Sequence, residues 1–478
     1  MKRTVRPAFS LCSGIFLGAL VAAGSAPAAR AAVSPETEGD SPRVLLRGNV
    51  HPLARPEFDI GESDPHLPME RIILHLARRP GADLELQQLL ADQQNPSSPD
   101  FHHWLTPEEF GERFGLPQES LSRIVAWLQE QGFTVDEVAR GRGWINFTGT
   151  AAQVERSFRA PMHDYLVGGK IEHANAADPS LPGEIAGLVR GIVSLHSFHA
   201  RPLISRRRPI SPEELRPAFN GGTGTHYLGP GDFAVIYNTN PLFASGIDGS
   251  GQTIAIVGRT DIKLEDVQYF RSYFGLPPRD PVFIHNGPDP GDLGDDGSTD
   301  GLNEENEADL DVEWSGAVAP QATIDFVISK STAASDGVDL SAQYIVDNNL
   351  APIMSESFGD CESDLGSAGN SFENAIYAQA AAEGITVFVA SADSGAAGCD
   401  SPSGTTGHGL AVNGLCSPPS VVCVGGTMFD DTSDPSAYWA ATSPPPGRVS
   451  ALSYIPEKAW NESASTPDGS NLYATGGG

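Results

Sequence analysis

Basic side chains are scarce in the C-terminal half of this chain. From His226 onward, 7 Lys+Arg stand against 35 Asp+Glu, so −28 of the total net charge of −31 falls there. Such a field repels phosphates and disfavours nucleic acid as a partner. It suits a protein that works at low pH, where carboxylates lose their charge, and equally one that only needs solubility. Long apolar runs are also missing. Beyond the N-terminus no stretch reaches the ~18 residues needed to cross a bilayer, so no membrane partner is expected once the N-terminus is removed. Cysteine is rare, with five residues and no Cys-x-x-Cys, and no histidine cluster accompanies it, which argues against a metal site. Histidine thins out too: only His226, His285 and His408 remain after residue 225.

What is present is ample for folding. At 478 residues, 40% hydrophobic and 19% charged, the chain has material for two or more domains and is not compositionally disordered. Residues 1–32 read as an export signal. Lys2, Arg3 and Arg6 precede an apolar stretch from Ala8 to Ala23, and Ala29-Arg30-Ala31 offers small residues at cleavage spacing. A membrane anchor is the competing reading, but the stretch is short and interrupted by Ser and Gly, which favours cleavage and secretion. Cys12 would leave with the signal. Cys361, Cys399, Cys416 and Cys423 then allow two disulfides in three connectivities. Cys361 and Cys399 each follow a strand-like run, which favours pairing them and leaves Cys416 with Cys423.

The N-terminal half reads as an α+β unit. Strands are expected over Arg71–Ala77, Phe133–Val138 and Trp144–Gly149, and helices over Leu84–Gln94, Ser120–Gln131 and Ala151–Arg159. Thr106-Pro107-Glu108-Glu109 is a helix start, with a capping hydroxyl, proline in the first turn and an acid three residues on. Met162–Val167 and Ile171–Ala174 flank Gly168-Gly169 as a hairpin. Ser97-Ser98-Pro99-Asp100-Phe101-His102-His103-Trp104-Leu105-Thr106-Pro107-Glu108-Glu109-Phe110, followed later by Phe147-Thr148-Gly149-Thr150, resembles the activation domain of pro-kumamolisin-like propeptides. The resemblance implies a propeptide over about residues 45–200 that folds across the catalytic cleft of its own chain and inhibits it. His102 and His103 have no acidic partners and read as packing or surface residues. Residues 201–226, with Arg206-Arg207-Arg208 and Asn220-Gly221-Gly222-Thr223-Gly224, read as an exposed linker and maturation region.

From Leu228 strands and helices alternate. Thr253–Gly258, Thr323–Ile328, Pro352–Ser357, Ile385–Ala390 and Val421–Gly425 are apolar strand candidates, with helices over Leu264–Phe274, Leu340–Asn348 and Phe372–Glu383. The alternation predicts an α/β fold whose parallel sheet carries helices on both faces. In such sheets sites gather at the C-terminal strand ends, where Asp393 falls.

Glu307 and Asp311 sit at i and i+4, one face of a helix. Taken alone, they could be an acidic first turn favoured by the helix dipole. With Ser355-Glu356-Ser357-Phe358-Gly359 and Ser391-Ala392-Asp393-Ser394-Gly395 in order behind them, residues 227–478 resemble the sedolisin family of serine-carboxyl peptidases, with a subtilisin-like fold. The resemblance implies that Glu307 is the base activating a serine and that Asp311 shares its proton. It implies that Asp393, when protonated, donates to the oxyanion, and that Ser357, Phe358 and Gly359 align an extended peptide. Protein or peptide substrates, hydrolysed in acid, follow from it. The subtilisin motifs Asp-Thr-Gly and His-Gly-Thr-His are absent. Ala392 departs from the family's glycine, and if the position needs φ > 0 alanine strains it.

The family's Gly-Thr-Ser is not found in these 478 residues; Gly425-Gly426-Thr427 runs into Met428. A fragment of a peptidase is expected rather than the alternative, a non-catalytic peptide-binding pseudopeptidase. The family's structural Ca²⁺ is expected for a complete domain, with ligands outside this chain. Asp289–Asp300 lacks the calcium-loop spacing and reads as an acidic surface loop.

Overall fold

The computed structural model describes residues 42–203, 228–400, 407, 409–463 and 472–477. The export signal with Cys12, and the part of the linker holding Arg206–Arg208, lie outside the described residues. Residues 42–478 form one unit, so the two halves of the chain can be described together.

In the N-terminal half four antiparallel strands run in the spatial order Thr134–Val138, Trp144–Thr150, Pro68–Leu76, Val189–Ile192. Helices Gln118–Glu130 and Ala151–Phe158 contribute Leu121, Ile124, Leu128, Val154 and Phe158 to the core with Ile72, Leu74 and Phe147. Two helices open with full capping boxes, Thr106 with Glu109 and Thr150 with Gln153. Each box satisfies amides that have no intrahelical partner, which is why the chain turns into helix at those residues. The expected hairpin is Met162–Val167 paired with Lys170–Asn175, joined by Gly168 and Gly169 at φ 59° and 86°.

In the C-terminal half six parallel strands take the order Val282–His285, Thr323–Ile328, Thr253–Gly258, Ile353–Glu356, Thr386–Ala390, Val421–Val424. Val282–His285 escaped the sequence reading, which saw five strands. Helices Gly337–Asp347 and Glu362–Ala382 pack Leu340, Ile345, Phe372, Ile376 and Ala380 onto Met354, Val387 and Val389. Helices Leu264–Tyr273 and Thr299–Val318 supply Val267, Ala308 and Val312 to a second core with Ile256, Phe326 and Ile328. Disulfides join Cys361 to Cys399 and Cys416 to Cys423.

The halves meet through buried polar contacts. Asp347, at the end of its helix, accepts the amides of Arg140 and Gly141 at 2.8 and 2.9 Å. Asn146 donates to Gln343 at 3.0 Å and Gln93 to the Ala382 carbonyl at 2.9 Å. Trp104, stacked in line with His102 and Phe101, lies against Gly384. Gly384 has φ 84°, and a Cβ there would come 2.6 Å from the indole, so only glycine fits. The Phe101–Trp104 motif is thus a docking element.

Candidate active site

Glu307 and Asp311 lie on helix Thr299–Val318, which Ser298 caps by accepting the Gly301 amide. The helix starts eight residues before Glu307, so the pair is not in a first turn and the dipole does not account for it. Glu307 is 4% exposed. Burial first, then Asp311, Asp393 and Glu304, push its carboxyl well above the usual range. Its Oε2 has no partner among the described residues. Burial raises Asp311 to about 7, against the Ser357 hydroxyl, which donates to its Oδ1 at 2.8 Å. Asp393, in the turn after strand Thr386–Ala390, is raised to about 6 by burial. The structure therefore brings both Asp311 and Asp393 within electrostatic reach of Glu307, and burial raises all three carboxyls above the ordinary range. Glu307 and Asp311, four residues apart on one helix, titrate as a pair rather than as separate acids.

Ala392 has φ 75°. That conformation favours glycine, so alanine is strained there. Its carbonyl accepts the Gly476 amide at 2.8 Å, and the Asp393 carbonyl accepts Ala474 at 3.0 Å. These bonds hold the Asp393 turn in place.

Gly359, which follows Ser357 and Phe358, lines a cleft of about 520 Å³ whose wall also includes Asp393 and Arg259. Arg201, Pro202 and Leu203 form part of its wall. Arg201 and Pro202 pair antiparallel with Gly359 and Phe358. The Leu203 amide donates to the Ser357 carbonyl at 3.3 Å and also reaches the Glu307 carboxylate. The expectation of a free linker from residue 201 is thereby corrected for Arg201–Leu203, because an unpaired strand edge takes up extended backbone.

Sequence reasoning passed over the groups that grip this segment. Arg259 ends the apolar strand Thr253–Gly258 and is 7% exposed. It makes two 2.9 Å bonds to Asp336, two to Glu304 at 2.9 and 2.6 Å, and one to the Ala200 carbonyl at 2.7 Å. Asp336 accepts the Ala200 amide at 2.7 Å, so both backbone groups of Ala200 are held. The Arg259 guanidinium lies 5.0 Å from the Phe358 ring centre. Asn413 links the strand ends, donating to the carbonyls of Phe358 and Ala390 at 3.0 and 2.8 Å. A lone arginine directly after six apolar strand residues was the available signal, since such a charge needs buried partners.

Two groups of metal-type side chains lie near the surface, Asp261 with His285 and Asp289, and Asp266 with Glu305 and Asp309. Lys263 already ion-pairs with Glu305 at 2.7 Å. No helix among the described residues is long and apolar enough to cross a membrane.

Residues 62–198 match the family described as Pro-kumamolisin, activation domain. Over 405 residues the chain is 28% identical to sedolisin of Pseudomonas sp. (strain 101), covering 83% of this chain and 63% of that protein. It is 29% identical to xanthomonalisin of Xanthomonas sp. (strain T-22), covering 82% and 48%, and 26% identical to kumamolisin of Bacillus sp. (strain MN-32), covering 84% and 71%. The chain thus spans under two thirds of the length of sedolisin and about half of xanthomonalisin. A solved structure of Pseudomonas sedolisin, a serine-carboxyl proteinase complexed with two molecules of pseudo-iodotyrostatin, superposes with TM-score 0.37 at 26% identity, over 52% of this chain and 62% of that one. Residues 62–198 thus match the activation-domain family, and across both halves the chain is similar to sedolisin, xanthomonalisin and kumamolisin.

Proposed function

We propose that the chain is the zymogen part of a secreted, acid-acting serine-carboxyl endopeptidase. Residues 1–32 direct export, 45–200 form the inhibitory propeptide, 201–226 the maturation region and 227–478 the peptidase portion. The reading rests above all on the strand pairing of Arg201–Pro202 with Phe358–Gly359. It seats an extended peptide beside a buried carboxylate pair that shares one proton and so keeps one basic oxygen, as a peptidase cleft holds a substrate. In this reading Glu307 takes the proton of a serine hydroxyl as it attacks the peptide carbonyl, then returns it to the departing amine. Asp311 steadies that proton, and protonated Asp393 donates to the oxygen that becomes negative. Ser357, Phe358 and Gly359 align the substrate backbone. No Gly-Thr-Ser occurs in these 478 residues, so this reading takes the serine and the family's Ca²⁺ ligands from a longer protein.

The test is a chain extended through a downstream Gly-Thr-Ser. On acidification it is expected to process itself near the maturation region and to cleave unfolded proteins, with little activity near neutrality. A neutral optimum, or full activity after Glu307→Ala, would refute the assignment. The absence of Gly-Thr-Ser from this sequence favours a second reading, a peptide-binding pseudopeptidase; that reading predicts peptide retention without turnover in the extended chain as well.

A further inference from the structure

We propose that Asp261, His285 and Asp289 form a binding site for a divalent transition-metal ion of the zinc type, placed so that the ion pins a loop of the cleft wall. The proposal goes beyond the peptidase reading and does not depend on it.

The sheet brings these ligands together. His285 ends strand Val282–His285 and Gly258 ends strand Thr253–Gly258, and both stand opposite Ile328 on the strand between them. Neighbouring strands lie ~4.8 Å apart, so the two ends start roughly 10 Å from each other. The chain beyond Gly258 turns across that gap and brings Asp261 Oδ2 to 3.0 Å from His285 Nε2. Asp289, four residues after His285, approaches the same nitrogen from the following loop, with Oδ1 at 3.7 Å. One ligand atom of each residue lies within 4.8 Å of the other two. The sequence argued against a metal here because no histidine cluster marks the place; the convergence exists only in the fold.

The spacing fits an ion better than it fits hydrogen bonding. A neutral imidazole carries a single ring proton. Asp261 can accept it, which leaves Asp289 beyond hydrogen-bond reach at 3.7 Å, its charge uncompensated. Among the described residues neither carboxylate pairs with a lysine or arginine. The neighbouring group of Asp266, Glu305 and Asp309 differs in this respect, since Lys263 supplies a cation there. A tetrahedral ion with ligands at about 2.0–2.1 Å sets them roughly 3.3 Å from one another. The separations of 3.0 and 3.7 Å bracket that value. One imidazole nitrogen with two carboxylate oxygens suits zinc or a similar ion, whereas calcium and magnesium take oxygen ligands. The Asp261, His285 and Asp289 side chains are 22%, 31% and 61% exposed, so an ion can enter and its fourth position opens to water.

The site adjoins the cleft. Pro290 and Leu293, in the loop after His285, line it. Hydrogen bonds tie this loop to the strand end: the Asp261 amide donates to the Gly291 carbonyl at 3.0 Å, and the Leu293 amide to the Thr260 hydroxyl at 2.9 Å. Asp289 Oδ1 accepts the Gly291 amide at 2.7 Å. An ion shared by Asp261 and Asp289 joins the same two segments more strongly and fixes that part of the wall.

The experiment titrates Zn²⁺ into the full chain, stripped of metal with a chelator, by calorimetry at pH 7.5. One site tighter than any other is expected. His285→Gln and Asp289→Asn are each expected to weaken it by about 100-fold, since loss of even a supporting partner costs 10–100-fold, while Asp266→Asn binds as the parent does. Thermal melting checks that the variants remain folded. Where one does not, hydrogen exchange of residues 286–296 in the parent decides, and stoichiometric Zn²⁺ is expected to slow it. The site is overturned by exchange that Zn²⁺ leaves unchanged, by absence of a stoichiometric site, by parent-like binding in both variants, or by preference for Ca²⁺ over Zn²⁺. None of these readouts involves peptide hydrolysis, so the result and the peptidase reading stand or fall separately.

Discussion

The Ser357 hydroxyl donates to Asp311 Oδ1 at 2.8 Å, so the segment leading into the strand that pairs with Arg201–Pro202 is bonded to the helix carrying Glu307 and Asp311. The backbone of the same residue accepts the Leu203 amide. Ser357 thus touches the bound segment with its main chain and the proton-holding group with its side chain. Its hydroxyl bond favours the ionised form of Asp311. In the extended enzyme Ser357→Ala is expected to move the alkaline limb of the pH–rate profile upward, by less than one pH unit, while KM changes little. A changed KM with an unmoved limb would confine Ser357 to peptide alignment.

Asp393 offers a sharper separation. Asp393→Ala is expected to cost on the order of 10²–10³ in kcat, as loss of one oxyanion donor does. Asp393→Asn donates at every pH. If protonation near the Asp393 value of about 6 limits the enzyme, the amide extends activity upward in pH. An unmoved limb assigns the limiting titration to Glu307 and Asp311.

The 478 residues themselves are expected to cleave nothing at any pH, because no Gly-Thr-Ser occurs in them. Incubating the purified chain with an unfolded protein from pH 3 to 8 checks this, and reproducible, Glu307-dependent cleavage would contradict it.

Buried carboxylates set the pH dependence of stability. Burial raises Glu383 to about 9, and its Oε2 is unpartnered among the described residues. A raised acid contributes fully below its unfolded value near 4.5 and loses that contribution as pH climbs toward the folded value. Glu383→Gln is therefore expected to be near neutral at pH 5 and stabilising by ~1 kcal/mol or more at pH 8. Urea titrations at the two pH values decide it. Asp336 behaves oppositely: Arg259 holds it at about 2, so its contribution survives through the acid range and is lost only as pH falls toward that value.

Ala392→Gly is expected to stabilise the chain by about 1 kcal/mol, since glycine removes the cost of φ 75° there. A lowered urea midpoint would mean that the alanine methyl packs better than its backbone strain costs.

Much was legible in the sequence because it depends on neighbours along the chain. Thr106 with Glu109, and Thr150 with Gln153, cap helices through contacts three residues apart, and Thr253–Gly258 and Thr323–Ile328 are strands because apolar runs of that length bury on both sides. Glu307 and Asp311 share a helix face by spacing alone. Val282–His285 was missed because its burial is only partial at a sheet edge, where the apolar signal is weak. Tertiary structure alone decided the rest. Arg259, Asp336 and Ala200 are far apart in the chain, and only the crossing of strand, helix start and propeptide end makes them a clamp. The raised carboxylates have the same physical origin. Which proton a side chain keeps is set by the water removed around it and by charges brought from other elements, and no local pattern of residues contains either.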